Sequence, residues 1–143
     1  MKVELTRSQY DAYEEELKSY KDIDRKIKRR REEISTNAEQ DERVGSPSGI
    51  ISRQPESLAI KYSEDRELCS YYNFKKNVDE LQETLPQIHR DIFELRWLND
   101  YEWTDMIKSC NLPKVSLYNL SKASIYNKRK YILNAYARIS GRL

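Results

Sequence analysis

The chain has 143 residues, 35% of them charged, and a formal net charge of +2, enough for one ordinary domain with a modest hydrophobic core. Its two cysteines, Cys69 and Cys110, lie far apart with no CxxC spacing, which argues against a disulfide scaffold or metal framework and for reduced, buried thiols. No apolar stretch approaches the roughly 18 residues of a membrane span, and the start "MKVELTRSQYDAYEEE" lacks the apolar core of a signal peptide, so a cytoplasmic protein is expected.

In chain order, Tyr10, Tyr13, Leu17, Tyr20, Ile27 and Ile34 recur in steps of three, four and seven, which places them on one helical stripe interrupted by Asp24 and Arg31. Thr6 and Gln9 form a Thr-x-x-Gln capping box, so the pattern predicts a helix over residues 7–34 within a charged N-terminal element, 1–34. The run "RKIKRRR" near its end fits two readings equally. It could bind nucleic acid, or its cations could simply complement the negative end of the helix dipole. Residues 35–56 hold two of the three glycines and two of the four prolines and read as a linker, longer than a routine connection. A separate helical domain is expected over residues 57–143.

Tyr71, Phe74, Val78, Leu81 and Leu85 alternate three- and four-residue steps, predicting a second helix that starts near Ser57 and stops at Pro86. "QIHRDIFELRWLND" follows, with Ile88, Ile92 and Leu95 on one face and Phe93 and Trp97 nearby, and should end at Asn99-Asp100. No alternating β-branched run bounded by hairpin turns appears. The expected fold is all-α: an N-terminal helix, a long linker and a helical bundle ending in a helix-turn-helix.

That last motif is read at residues 102–124. Trp103, Met106, Ile107 and Cys110 share one face of a short helix, Asn111 tolerates a left-handed backbone, and Leu112 returns to the core. Pro113 then opens a second helix whose buried face continues through Leu117 and Leu120. Lys114, Val115, Tyr118, Asn119 and Lys122 remain on the outer face. Asn119 suits an adenine edge, Lys114 guanine or phosphate, Val115 a thymine methyl, and Tyr118 and Lys122 the backbone. Lys128, Arg129 and Lys130 complete the expected DNA-binding set. Charge supports this reading, because residues 35–100 carry 8 basic and 13 acidic groups whereas residues 101–143 carry 8 basic and 2 acidic. No acidic side chain follows Asp105, as expected of a polyanion-binding surface. An ordinary helical hairpin with a solvated basic face is the plain alternative.

Nothing in the sequence suggests catalysis. His89 lies beside Asp91 on a helix without a serine motif, phosphate loop or second metal ligand, and Glu14-Glu15-Glu16 reads as a solvated charged face. No enzyme activity, cofactor, metal, membrane or small-molecule substrate is expected. The heptad-like stripes at residues 10–34 and 71–85 exceed what a small helix-turn-helix must cover, so helices should pair within or between chains, with a homodimer favoured.

Three blocks resemble the RinA family of phage transcriptional activators: "YKDIDRKIKRRREEI" at residues 20–34, "DERVGSPSGIISRQPESLAIKYSED" at 41–65, and the segment from "IFELRW" through Tyr118-Asn119. Departures are the reduced glycine run at Gly45 and Gly49, the displaced Pro55, Pro113 in place of a capping serine, and Ile107 in place of a small residue. The resemblance implies a sigma-factor-like helix-turn-helix at the C-terminus and activation of late phage genes, including those for DNA packaging. Double-stranded DNA and host RNA polymerase are the implied partners. A small-terminase-like packaging protein and a structural helical interaction protein are the rival expectations.

Overall fold

The computed structural model describes residues 5–45, 55–108 and 121–142. Among them there are helices and turns but no strand, so the fold class is all-α. No helix among the described residues is long and apolar enough to cross a membrane. The chain forms two compact units, one of Met1–Lys21 with Lys76–Leu143 and one of Asp22–Lys75.

In the first unit, α1 (Arg7–Lys18) starts at the capping box expected from the sequence. The Gln9 backbone N–H donates to Thr6 Oγ1 at 3.2 Å, and the Thr6 N–H donates to Gln9 Oε1 at 2.8 Å. Tyr10, Tyr13 and Leu17 form its buried stripe. The predicted single helix over 7–34 is broken, however, at Ser19. There the hydroxyl donates to the Glu16 carbonyl at 2.8 Å, and a 3-10 turn, Tyr20–Asp22, follows. The turn shifts the helical phase, so Ile23 becomes the buried position and Asp24 is left exposed.

The same unit contains the C-terminal part of α4 (Arg66–Thr84), then α5 (Gln87–Phe93), α6 (Trp103–Lys108) and α7 (Lys122–Ile139). The α1, α5 and α6 helices all pack against α7. Leu81 and Leu85 of the predicted second stripe, with Ile92, Phe93, Ile132, Leu133 and Tyr136, form much of the core. Burial of each such side chain is worth about 1.5–3 kcal/mol.

After α5 the backbone widens into a π-helical turn, Glu94–Leu98, closed by the Asn99 N–H donating to the Glu94 carbonyl at 2.9 Å. Leu95, Arg96 and Trp97, three consecutive residues, are all buried there. Asp100 ends the element at φ 60°, a left-handed position that aspartate tolerates better than most residues. The predicted stop at Asn99-Asp100 is where the helix stops.

The second unit contains α2 (Ile23–Gly45), packed on α3 (Pro55–Glu64), and the first part of α4. Helix continues to Gly45, so the linker expected over 35–56 does not begin at residue 35; residues 46–54 lie outside the described residues. The expected second helix is also divided, at Asp65. Its carboxylate accepts the Leu68 N–H at 2.8 Å and thereby caps α4. The unit boundaries therefore differ from the expected 1–34, 35–56 and 57–143, because α1 is core to the C-terminal helices.

Candidate nucleic-acid interface

Glu14, on α1, is the charged centre of the first unit. Its side chain is 11% exposed, against 8% for Arg96 and 15% for Arg129. Arg96 Nε donates to Oε1 at 3.1 Å, and Arg129 donates to Oε2 through Nε at 3.0 Å and Nη2 at 2.6 Å. The Trp103 indole N–H also donates to Oε1, and the Trp97 indole N–H donates to the Glu14 backbone carbonyl at 3.3 Å. Burial pushes the Glu14 carboxyl up, but the Trp103 hydrogen bond, the Arg129 hydrogen bonds and the two guanidinium charges outweigh it and hold the carboxyl below its usual range. Glu14 is therefore a buried carboxylate and not part of the solvated acidic face expected for residues 14–16.

This hub joins α6, where the expected helix-turn-helix begins, to α7. Trp103 is the first residue of α6, and Arg129 lies in the N-terminal half of α7. Trp103 and Met106 are buried, on the face expected for them. Trp103 also packs edge-on to Trp97 with centroids 5.7 Å apart, and Arg96 lies 5.6 Å from the Trp103 ring centre. Cys110, Leu112, Lys114, Val115, Leu117, Tyr118, Asn119 and Leu120 lie outside the described residues, as does the side chain of Ile107.

The basic residues of α7 do not form one patch. At 100° per residue, Arg129 falls on the same stripe as Ile125, Leu133 and Tyr136, which are buried. Its guanidinium binds Glu14 and reaches Asp11 at 3.3 Å, so its role in the fold is that of a strut. Lys128 and Lys130 leave the helix on opposite sides of that stripe. Lys122 was expected to share a helix with Lys114 and Asn119, but Ser121 is an N-cap, accepting the Ser124 N–H at 3.2 Å, and Lys122 begins α7. Lys122, Lys128 and Lys130 make no ion pair with a described residue.

On the Lys130 side, a cleft of about 620 Å³ opens between α1 and α7, lined by Arg7, Tyr10, Trp103, Tyr126, Lys130 and Asn134, with Glu14 and Arg129 also reaching it. The Tyr10 hydroxyl donates to Asn134 Oδ1 at 3.2 Å across it. On the Lys128 side, His89 of α5 lies against Tyr131 with ring centroids 4.3 Å apart, and its Nδ1 is buried without a hydrogen-bond partner. Burial, then the Lys128 charge, holds the His89 pKa below its usual value. Cys69 is half-buried, and its thiol donates to the Ser63 carbonyl at 3.2 Å. Among the described residues, no group of three His, Cys, Asp or Glu side chains could hold a metal ion.

These features define an all-helical protein whose C-terminal helices are locked to its first helix by a buried carboxylate. The chain belongs to the family described as protein of unknown function, DUF722, whose model matches residues 11–138, a span that contains Glu14, Arg96, Trp103 and Arg129. No curated protein and no solved structure matches the chain.

Sequence patterning missed the hub. A glutamate beside two others on a charged helix looks solvated, and the only signal available was that Glu14 shares a flank with the Tyr10–Tyr13–Leu17 stripe.

Proposed function

We propose that this chain is a sequence-specific duplex-DNA-binding regulator of the kind found among phage late-gene activators. The observation that carries the reading is the absence of any acidic side chain after Asp105 in a segment with eight cations between residues 101 and 143. Lys122, Lys128 and Lys130 stand in that segment without ion-pair partners among the described residues, while Arg129 and Arg142 are committed to the fold through Glu14 and Glu16. In this reading residues 109–120 supply the base contacts, and Asn119 and Lys114 read edges in the major groove. Glu14 holds α6 and α7 at a fixed spacing on either side of them. The protein acts without a catalytic step in the bacterial cytoplasm, with RNA polymerase as the second partner and a homodimer as the working assembly.

The test is binding of the full chain to a site selected from a random duplex pool, measured against unselected duplex over a range of salt. Affinity falls steeply with salt, and Lys122→Ala lowers the log–log slope by about 1. Asn119→Ala costs about 1–3 kcal/mol on the selected site and much less on random DNA. Equal losses on both remove base reading, and salt-insensitive absence of binding overturns the proposal. If the chain binds its site but leaves promoter initiation unchanged at saturating occupancy, a packaging role replaces activation.

A further inference from the structure

The basic run at residues 25–31 is divided by the fold into one structural arginine and a set of available cations. Arg30 donates to the Asp65 carboxylate at 2.7 and 3.0 Å and to Glu33 at 3.1 Å, with Glu67 at 3.2 Å. Its work is to hold α2 against the α3–α4 junction. Arg25 and Arg29 are 78% and 82% exposed, each with one long contact inside the helix, 3.4 Å to Asp22 and 3.5 Å to Glu33. Pairs of that kind contribute little and exchange readily for another anion. Lys28 is exposed and makes no ion pair with a described residue. The Arg31 guanidinium lies 4.8 Å over the Tyr62 ring, which fixes its direction without neutralising it.

Of these cations, Lys28 and Arg31 border a groove of about 370 Å³ between α2 and α3, lined also by Ile27, Ser35 and Tyr62 together with Asp24 and Glu32. Asp24 is already paired with Lys75 at 2.6 Å, which leaves Glu32 as the opposing carboxylate. With Lys75 counted beside its partner Asp24, the three cations exceed the two carboxylates by one charge. Residues 25 to 31 span about 9 Å of helix axis at 1.5 Å per residue, the length of two to three nucleotides of one strand at about 3.4 Å each. Arg31 covers the Tyr62 ring, so that ring is not offered for stacking an unpaired base, and backbone contact is the chemistry this face supports.

We propose that this face of α2 is a second nucleic-acid-contacting surface, gripping the phosphates of duplex DNA without reading sequence. It rests on the DNA-binding reading above but uses different residues and a different unit.

The test uses the full chain and the double variant Lys28→Ala/Arg31→Ala, titrated with random-sequence duplex at several salt concentrations. The log–log slope falls by about 2, the preference for the selected site over random DNA stays unchanged, and Lys28→Arg/Arg31→Lys restores the slope. Arg30→Ala lowers the melting midpoint but leaves the slope as it was. Should the double variant melt early, the exposed single variant Lys28→Ala carries the test with a slope change of about 1. An unchanged slope in variants that remain folded overturns the inference, as does tighter binding of single-stranded RNA or poly-glutamate than of duplex. If the α2 variants change the slope while Lys122→Ala and Asn119→Ala do nothing, this surface stands and the helix-turn-helix reading falls. The reverse pattern removes α2 and leaves that reading intact.

Discussion

Each unit sets a carboxylate against guanidinium groups, but in different surroundings. In the first, Glu14 holds Arg96 and Arg129 beneath Trp97 and Trp103, and all five side chains are at least mostly buried. In the second, Arg30 is 27% exposed and is shared among Asp65 and two further carboxylates, Glu33 and Glu67, that are about half exposed, while Ile23, Ile27 and Leu68 are the buried apolar residues described there. The contrast is between a charge group that cannot rearrange and one that can. Without Glu14, Arg96 keeps only the Tyr101 carbonyl at 3.2 Å and Glu102 at 3.4 Å, and Arg129 only Asp11 at 3.3 Å. Without Asp65, Arg30 turns to neighbours or water.

The largest expected effect comes from dividing the chain at residue 56. The fragment 57–143 lacks α1, and with it Tyr10, Tyr13, Leu17 and Glu14, so it should lose cooperative unfolding altogether, as read by circular dichroism against urea. The sequence pattern leads to the opposite expectation, because a long linker between 35 and 56 would make residues 57–143 autonomous. A sharp transition for the fragment would break the comparison.

Next is the carboxylate itself. Glu14→Ala should destabilise by about 3 kcal/mol, the low end of the range for breaking a buried pair, because Arg96 and Arg129 each keep a second carboxylate. The denaturation midpoint reads this, and Trp103 fluorescence should report it because its indole donates to the Glu14 carboxylate. Arg30→Ala should move the midpoint less, and the two effects arriving equal would erase the distinction between the units.

Smallest is the response to acid. The Glu14 pKa is lowered, so its contribution is complete above the ordinary carboxylate pKa of about 4.3 and is lost as pH falls through the lowered folded value. His89 is also lowered, chiefly by burial. The unfolded chain therefore takes up a proton first, and stability declines as pH drops below about 6.5 toward the folded value. As His89 is the only histidine, His89→Gln should flatten stability in that upper window and leave the later loss from Glu14 in place. Persistence of the upper decline in His89→Gln would assign it elsewhere.

Local periodicity was sufficient for much of the fold. The capping box, the Tyr10, Tyr13 and Leu17 stripe, the buried Val78, Leu81 and Leu85, the boundary at Pro86 and the stop at Asn99-Asp100 all depend on residues within a few positions of each other. The acid-free C-terminal segment was equally legible, being a matter of counting. The breaks at Ser19 and Asp65 were not. One is a serine back-bonding to its own helix, the other an aspartate that both caps α4 and pairs with Arg30, 35 positions away. Arg129 was likewise read as a DNA contact because an arginine on a helix is solvent-facing by default. Only the tertiary structure brings Glu14, 115 positions earlier, to that stripe and makes burial of the charge affordable. Hydrophobic spacing is a property of neighbours along the chain, whereas the pairing of a buried charge depends on whichever residue the fold places opposite it.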